Sequence, residues 1–213
     1  MIDALNAILV AVLVLNLLAL GTGRILAVVR IIAVQGALLG VLPLLVHDHL
    51  TPAVFVVAAA TIAFKGFAIP AILGRALGDA KVKHEIKPAF GLLPTMVLGA
   101  LATAFALIIA RRLPLAEEHT GSLLLPAALA TAAVGFILII TRYKAIFQVV
   151  GYLVVENGIF IFGMLLIEAM PLLVEMGVLL DLFIGIFVTS VIVNHINRAF
   201  SSMDTRRLAS LKE

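Results

Sequence analysis

Long apolar runs, separated by short polar breaks, organise the whole chain. A helix needs roughly 20 predominantly apolar residues to cross a bilayer. Seven runs reach about this length, and each predicts a transmembrane helix. They are Ile2–Leu20, Ile25–Val46, Pro52–Leu73, Phe90–Ala110, Ser122–Thr141, Ala145–Ile167 and Leu172–Ile196. The pattern therefore predicts an all-α, polytopic membrane helix bundle of about seven transmembrane helices.

Composition agrees with this fold and narrows the chemistry. Apolar residues make up 63% of the chain and charged residues 13%, about half the charged share of an ordinary soluble domain, which is about 25%. The net charge of +3 is spread along the chain, which argues against nucleic-acid binding. The absence of cysteine excludes disulfides, thiolate catalysis and cysteine-ligated zinc or iron–sulfur sites. We therefore expect no cofactor bound by this chain.

Lys and Arg side chains predict the orientation, because they are enriched in cytoplasmic loops. With the N-terminus outside, the inner segments hold twelve of these residues and the outer loops hold only Arg111 and Arg112. The C-terminus is then inside.

Within one membrane domain covering residues 1–213, the spans suggest a weak internal repeat. Gln35 corresponds to Gln148, and Lys65 corresponds roughly to Asp181. The predicted parts are a first three-helix unit (1–76), a linking helix (90–110), a second three-helix unit (122–198) and a cytoplasmic tail (199–213).

Three ionisable residues lie near the middle of predicted spans: Lys65, Glu156 and Asp181. Charges at this depth are costly and are candidates for function. Two carboxylates and one amine at similar depth could form a proton relay. Each could instead be structural: a membrane carboxyl can join helices by hydrogen bonds, and a lysine can extend along its stem toward the surface.

Glu156 also ends a polar stripe, in which Lys144, Gln148, Tyr152 and Glu156 are spaced four residues apart. Residues at this spacing share one helix face. The stripe would run from the inner surface to the middle of the sixth span, with Asn157 beside it. We include all four residues in the candidate proton pathway, although Gln148 and Tyr152 could simply join neighbouring helices.

Two segments resemble a known group of membrane subunits. The stretch Arg142–Gly158, RYKAIFQVVGYLVVENG, resembles the second helix of the K subunit of respiratory complex I and of the C subunit of multisubunit Na⁺/H⁺ antiporters. The stretch Leu180–Gly185 is similar to the third helix, with Asp181 in place of a glutamate. The family places its glutamate about one turn before the asparagine, near Tyr152, whereas here Glu156 directly precedes Asn157. A shift of one turn keeps the same helix face.

With seven spans and this K-subunit-like C-terminal unit, the chain resembles hydrogenase-4 component E of formate hydrogenlyase-type complexes. The resemblance implies a membrane-arm subunit of a group 4 [NiFe] hydrogenase or related respiratory complex in a prokaryotic cytoplasmic (inner) membrane. Its partners would be antiporter-like and complex I-like membrane subunits and a peripheral hydrogenase arm. Those partners would carry the iron–sulfur clusters and nickel–iron, and this chain would contribute to proton translocation and to assembly of the arm.

Three alternatives stay open at this point. The chain could belong to a Na⁺/H⁺ antiporter without redox chemistry, which co-purifying subunits with iron–sulfur clusters or nickel would distinguish. It could be an independent small transporter, although few polar residues lie in the spans. It could also be a scaffold whose carboxylates are replaceable without loss of coupling.

The basic residues lead to a topological prediction. Reporter fusions at Ser202 and at Glu118 are expected to report opposite sides of the membrane, because three predicted spans separate the two positions. Reporters on the same side would contradict both the seven-span topology and the repeat.

Overall fold

The computed structural model describes residues 2–46, 51–79, 91–113, 121–142 and 145–166, and the isolated positions Gly177, Phe183 and Phe187. The described elements are helices joined by turns, with no strand among them. They are α1 (Ile2–Gly21), α2 (Ile25–Leu39), α3 (Leu42–Val46), α4 (Pro52–Thr61), a π-helical segment (Ile62–Ala68), α5 (Ile69–Asp79), α6 (Leu92–Ala110), α7 (Leu124–Thr141) and α8 (Ala145–Met164).

These elements give six helices long and apolar enough to cross a membrane. The first six predicted spans each correspond to one of them, with ends that differ by three residues or fewer. Length and composition thus support a membrane protein with an all-helical fold. The seventh predicted span, Leu172–Ile196, lies almost wholly outside the described residues, and the orientation of the termini stays a prediction.

Two of the spans are not continuous α-helices. The second bends at Gly40 and Val41 between α2 and α3, and Pro43 then lies in the first turn of α3, where its missing N–H costs little. The third passes through the π-helical segment, and Pro70 lies in the first turn of α5. The third span starts at α4, which Thr51 caps: its hydroxyl accepts a hydrogen bond from the Val54 N–H at 3.4 Å.

The helices form a bundle with α7 and α8 at its centre. These two helices make the most extensive contact among the described elements, and 72% of the residues in an 18-residue stretch of α8 are buried. α1 packs on α7, α2 and α6, and α2 packs on α8 and on the π-helical segment. α6 lies at one edge of the bundle, since only 17% of the residues in an 18-residue stretch of it are buried. α4, the π-helical segment and α5 form the opposite edge.

Polar contacts join α1 to α7 at both ends. At one end the Asn6 amide donates to the Gly121 carbonyl at 3.1 Å and accepts from the Leu123 N–H at 2.9 Å. This second bond satisfies one of the N–H groups that a helix start leaves unpaired. The contact sets the register of α1 against the start of α7.

At the other end, Arg142 follows α7 and is buried. Its Nη2 donates to the carbonyls of Leu20 and Thr22, both at 3.1 Å, and its guanidinium lies 4.9 Å from the centre of the Phe147 ring. A cation at the end of α1 also opposes the partial negative charge of that terminus. Burial lowers the pKa of Arg142 from its ordinary value.

Glycines allow α7 and α8 to approach closely. A Cβ on Gly135 would lie 2.5 Å from the Val155 nitrogen, and a Cβ on Gly158 would lie 2.6 Å from the Ala132 nitrogen. Small residues are favoured between membrane helices because close backbone approach maximises van der Waals contact. The α7–α8 pair therefore provides a rigid centre for the bundle.

The close approach predicts that Gly158→Ala destabilises the chain by about 1–3 kcal/mol, as overpacking commonly does. Gly74→Ala is the matched control, because a Cβ at Gly74 would meet no atom within 4 Å and alanine favours helix by up to about 1 kcal/mol. The measurement is the unfolding midpoint of each variant in lipid nanodiscs. Equal losses in both variants would contradict the packing argument.

Candidate functional site

Six buried polar residues of the spans form one layer across the bundle. Apolar core residues form one cluster toward the Asn6 end and a second cluster toward the Arg142 end. On α1, α2, α7 and α8 the polar residues of this layer fall between members of the two clusters, and Lys65 lies just before the α5 members of the cluster toward the Arg142 end. The layer contains Asn16 of α1, Gln35 of α2, Lys65 of the π-helical segment, Thr131 of α7, and Glu156 and Asn157 of α8.

The charged centre of this layer is an ion pair between Lys65 and Glu156. The Lys65 Nζ lies 3.3 Å from Glu156 Oε1, and the two side chains are 5% and 3% exposed. Lys65 also donates to Asn157 Oδ1 at 3.4 Å and lies 5.1 Å from the centre of the Phe160 ring. An aromatic face attracts a cation. α8 thus supplies three groups that favour an ammonium at Lys65.

The π-helical segment places Lys65 in this position. Short π-helical turns are rare and occur frequently at functional sites. α2 lies directly against the turn, because a Cβ on Gly36 would be 2.8 Å from the Lys65 carbonyl carbon and oxygen. One turn further, a Cβ on Gly40 would be 2.9 Å from the Ile62 nitrogen. The two glycines let the lysine-bearing backbone lie close to α2 while its side chain reaches α8.

A chain of hydrogen bonds extends from Lys65 across the bundle. Asn157 Nδ2 donates to Gln35 Oε1 at 3.3 Å, and Gln35 Nε2 donates to Asn16 Oδ1 at 2.9 Å. Asn16 Nδ2 then donates to Thr131 Oγ1 at 2.8 Å. With the bond from Lys65 to Asn157, this amide chain (Asn157, Gln35, Asn16 and Thr131) connects α8, α2, α1 and α7.

An apolar cleft borders the ion pair between α2, α5 and α8. Lys65, Glu156 and Asn157 contribute its polar atoms, and its walls are otherwise aliphatic. The aliphatic lining includes Val29, Ile32, Ile69, Leu73, Val150 and Leu153. The pair therefore sits at the edge of the tightly packed centre, beside a space that reaches toward the α5 side.

No family model matches the chain, and no solved structure does. The protein Rv0085 of Mycobacterium tuberculosis is 30% identical to it over 190 residues, which are 88% of this chain and 86% of the relative. The chain belongs to the Rv0085 family. That relative is described as uncharacterised, so membership assigns a family without an activity. The described residues of this Rv0085 family chain contain no group of three or more histidine, aspartate or glutamate residues placed to hold a metal ion.

The structure brings together two of the three ionisable residues singled out in the spans, Lys65 and Glu156. Tyr152 lies one turn from Glu156 and is half-buried, and Gln148 is exposed on the surface of the described bundle. Lys144 and Asp181 lie outside the described residues. Among the described members of the polar stripe, Glu156 is the buried one, and it lies beside Asn157 of the amide chain.

Sequence reasoning missed Asn16 and Thr131 and gave Gln35 little weight. Each is an isolated polar residue in an apolar run, and a depth comparison between spans could have found Asn16 and Gln35. Thr131 carried no such signal, because threonine commonly bonds to its own helix backbone. Its place in the chain follows from the packing of α1 on α7.

The buried pair of this Rv0085 family chain predicts a strong coupling between Lys65 and Glu156. Lys65→Met is expected to destabilise the fold by about 3–5 kcal/mol, because it leaves a buried carboxylate without its cation. Adding Glu156→Leu should recover a large part of that loss, since the double variant buries no charge. Unfolding midpoints in nanodiscs provide the double-mutant cycle. Additive losses from the two single variants would argue against the pair.

Proposed function

We propose that this chain is a membrane-arm subunit of an ion-coupled respiratory complex, of the group 4 [NiFe] hydrogenase type or a relative. In this proposal the Lys65–Glu156 pair is its proton-transfer element. The observation that carries the proposal is the pair itself: two oppositely charged, exchangeable groups 3.3 Å apart, buried near the middle of their spans. Such groups inside a membrane commonly mark ion pathways and proton relays.

The chemistry of the pair suits proton transfer. The carboxylate of Glu156 can accept a proton and the ammonium of Lys65 can release one, so both the charged pair and its neutral form are accessible without a metal or cofactor. The adjacent cleft supports entry or exit on the α5 side, because the pair lines it. Neighbouring membrane subunits covering that side would continue the route.

The hydrogenase assignment rests on the resemblance of Arg142–Gly158 to K-type subunits. In that setting the peripheral partners carry the redox centres, and this chain passes protons and braces the arm in the cytoplasmic membrane. An antiporter complex without redox chemistry is the second candidate, favoured by the same segment. Purifying the native complex and assaying it for nickel and iron–sulfur clusters distinguishes the two.

The proposal predicts that Glu156→Gln leaves the complex assembled but lowers its coupled activity or proton translocation at least tenfold, because glutamine keeps the shape without exchanging a proton. The measurement pairs subunit composition of the purified complex with proton uptake in proteoliposomes. Asp3→Asn, an exposed carboxylate at the start of α1, is the matched control. Asp181→Asn is expected to behave as Glu156→Gln does if both serve one path.

An assembled Glu156→Gln complex with wild-type activity and translocation would assign Glu156 to structure. A loss in Asp3→Asn of the same size would show that the assay responds to any lost carboxylate. Wild-type translocation by the Lys65→Met variant would remove the lysine from the path while leaving Glu156 in it.

A further inference from the structure

All hydrogen bonds of the amide chain point in one direction. Lys65 donates to Asn157, Asn157 to Gln35, Gln35 to Asn16, and Asn16 to Thr131. Every amide therefore turns its oxygen toward Lys65 and its nitrogen away. The direction has a chemical cause, because an ammonium has three donors and no acceptor, so the first amide must present its oxygen to it. Each following amide must then accept from the one before.

We propose that Asn157, Gln35, Asn16 and Thr131 are positioning residues that hold Lys65 as an ammonium and end the proton path there. This inference deepens the proposed function, and its statement about the proton path rests on that function. The assignment of the lysine charge, however, depends only on the geometry of the chain.

An amide chain of this kind orients charge but does not conduct protons. A carboxamide has an NH₂ donor and a carbonyl acceptor and does not titrate near neutral pH, unlike a carboxyl, an amine or water. Among the described residues, the amide chain therefore gives protons that reach Lys65 no carrier toward α1 and α7. In this proposal the route through the pair instead runs by Glu156 and the cleft, which Asn157 also lines but where Glu156 is the carboxyl that can exchange a proton.

The aligned dipoles favour the charged lysine. In a low dielectric, hydrogen bonds in a chain polarise one another, so distant members contribute to the first bond. On the described parts of α2, α5 and α8, Glu156 is the buried partner of Lys65, whereas Arg30 and Arg75 are exposed. The amide chain and the Phe160 ring are neutral groups of the described structure that favour the charged Lys65, and the influence of each amide should fall with its distance along the amide chain.

The experiment reads the charge state directly, by infrared absorption of the protonated carboxyl of Glu156 in the purified chain in nanodiscs. The band is assigned to Glu156 by its absence from the same variants when they also carry Glu156→Gln. Removing a member of the amide chain destabilises the Lys65 ammonium. The ion pair then becomes neutral more often, because the proton moves to the Glu156 carboxyl. At neutral pH we expect the ratio of protonated to ionised Glu156 to rise about tenfold in Asn157→Leu, less in Gln35→Leu, and least in Thr131→Val.

Two variants on α7 control for packing. Thr141→Val also removes a buried hydroxyl, which bonds to the Ile137 carbonyl of its own helix, and should leave the ratio at the wild-type value. Thr131→Ser keeps the acceptor and should do the same. Comparing Thr131→Val with these two controls keeps the test decisive if Asn157→Leu or Gln35→Leu fails to fold.

An unchanged ratio in Thr131→Val, Gln35→Leu and Asn157→Leu would overturn the inference, as would an equal rise in Thr141→Val. The proposed function fails separately, if Glu156→Gln retains proton translocation. A graded infrared response with intact translocation in Glu156→Gln would leave the amide chain as a charge-holding device outside any proton path.

Discussion

The hydrocarbon core of a membrane offers no water to a polar group, so every buried donor and acceptor must find its partner within the protein. Of the buried polar residues described in this chain, six form the polar layer, and they lie on five different elements. They can satisfy one another only if all five elements pack at one register. The Lys65–Glu156 ion pair and the amide chain therefore specify which helices meet and at what depth, which apolar surfaces alone do weakly in lipid.

The packing around the layer makes this register possible. Gly135, Gly151 and Gly158 bring the backbones of α7 and α8 together, and Gly36 and Gly40 bring α2 against the π-helical segment. At the two ends of α1, Asn6 and Arg142 fix the helix against the start and the end of α7. The helices are thus closely packed around the polar layer, and the space beside the ion pair is lined by α2, α5 and α8.

In our proposal, this arrangement gives two tasks, exchanging protons and orienting charge, to different residues. Glu156 and Lys65 can exchange protons and border the cleft, whereas the amides behind them can only orient. A site with carboxylates or bound waters on both sides would offer protons two directions. In our proposal, protons cannot pass along the amide chain, because carboxamides do not titrate near neutral pH. The types of residue around Lys65 therefore set the direction of proton transfer.

The sequence by itself determined that the helices suit a lipid bilayer, that the fold is all-helical, and where the first six spans lie. Each of these depends on local composition over about 20 residues. It also singled out Lys65 and Glu156, since a charge within an apolar run is visible without a structure. Only the tertiary structure decided that these two residues pair, that Gln148 is exposed, and that Asn16, Gln35 and Thr131 belong with them. Those facts depend on the depth and rotation of separate helices. The spacing of residues along the sequence does not encode the depth and rotation of the helices. Both are set by contacts between distant segments, at the glycines and at the Asn6 and Arg142 ends of α1.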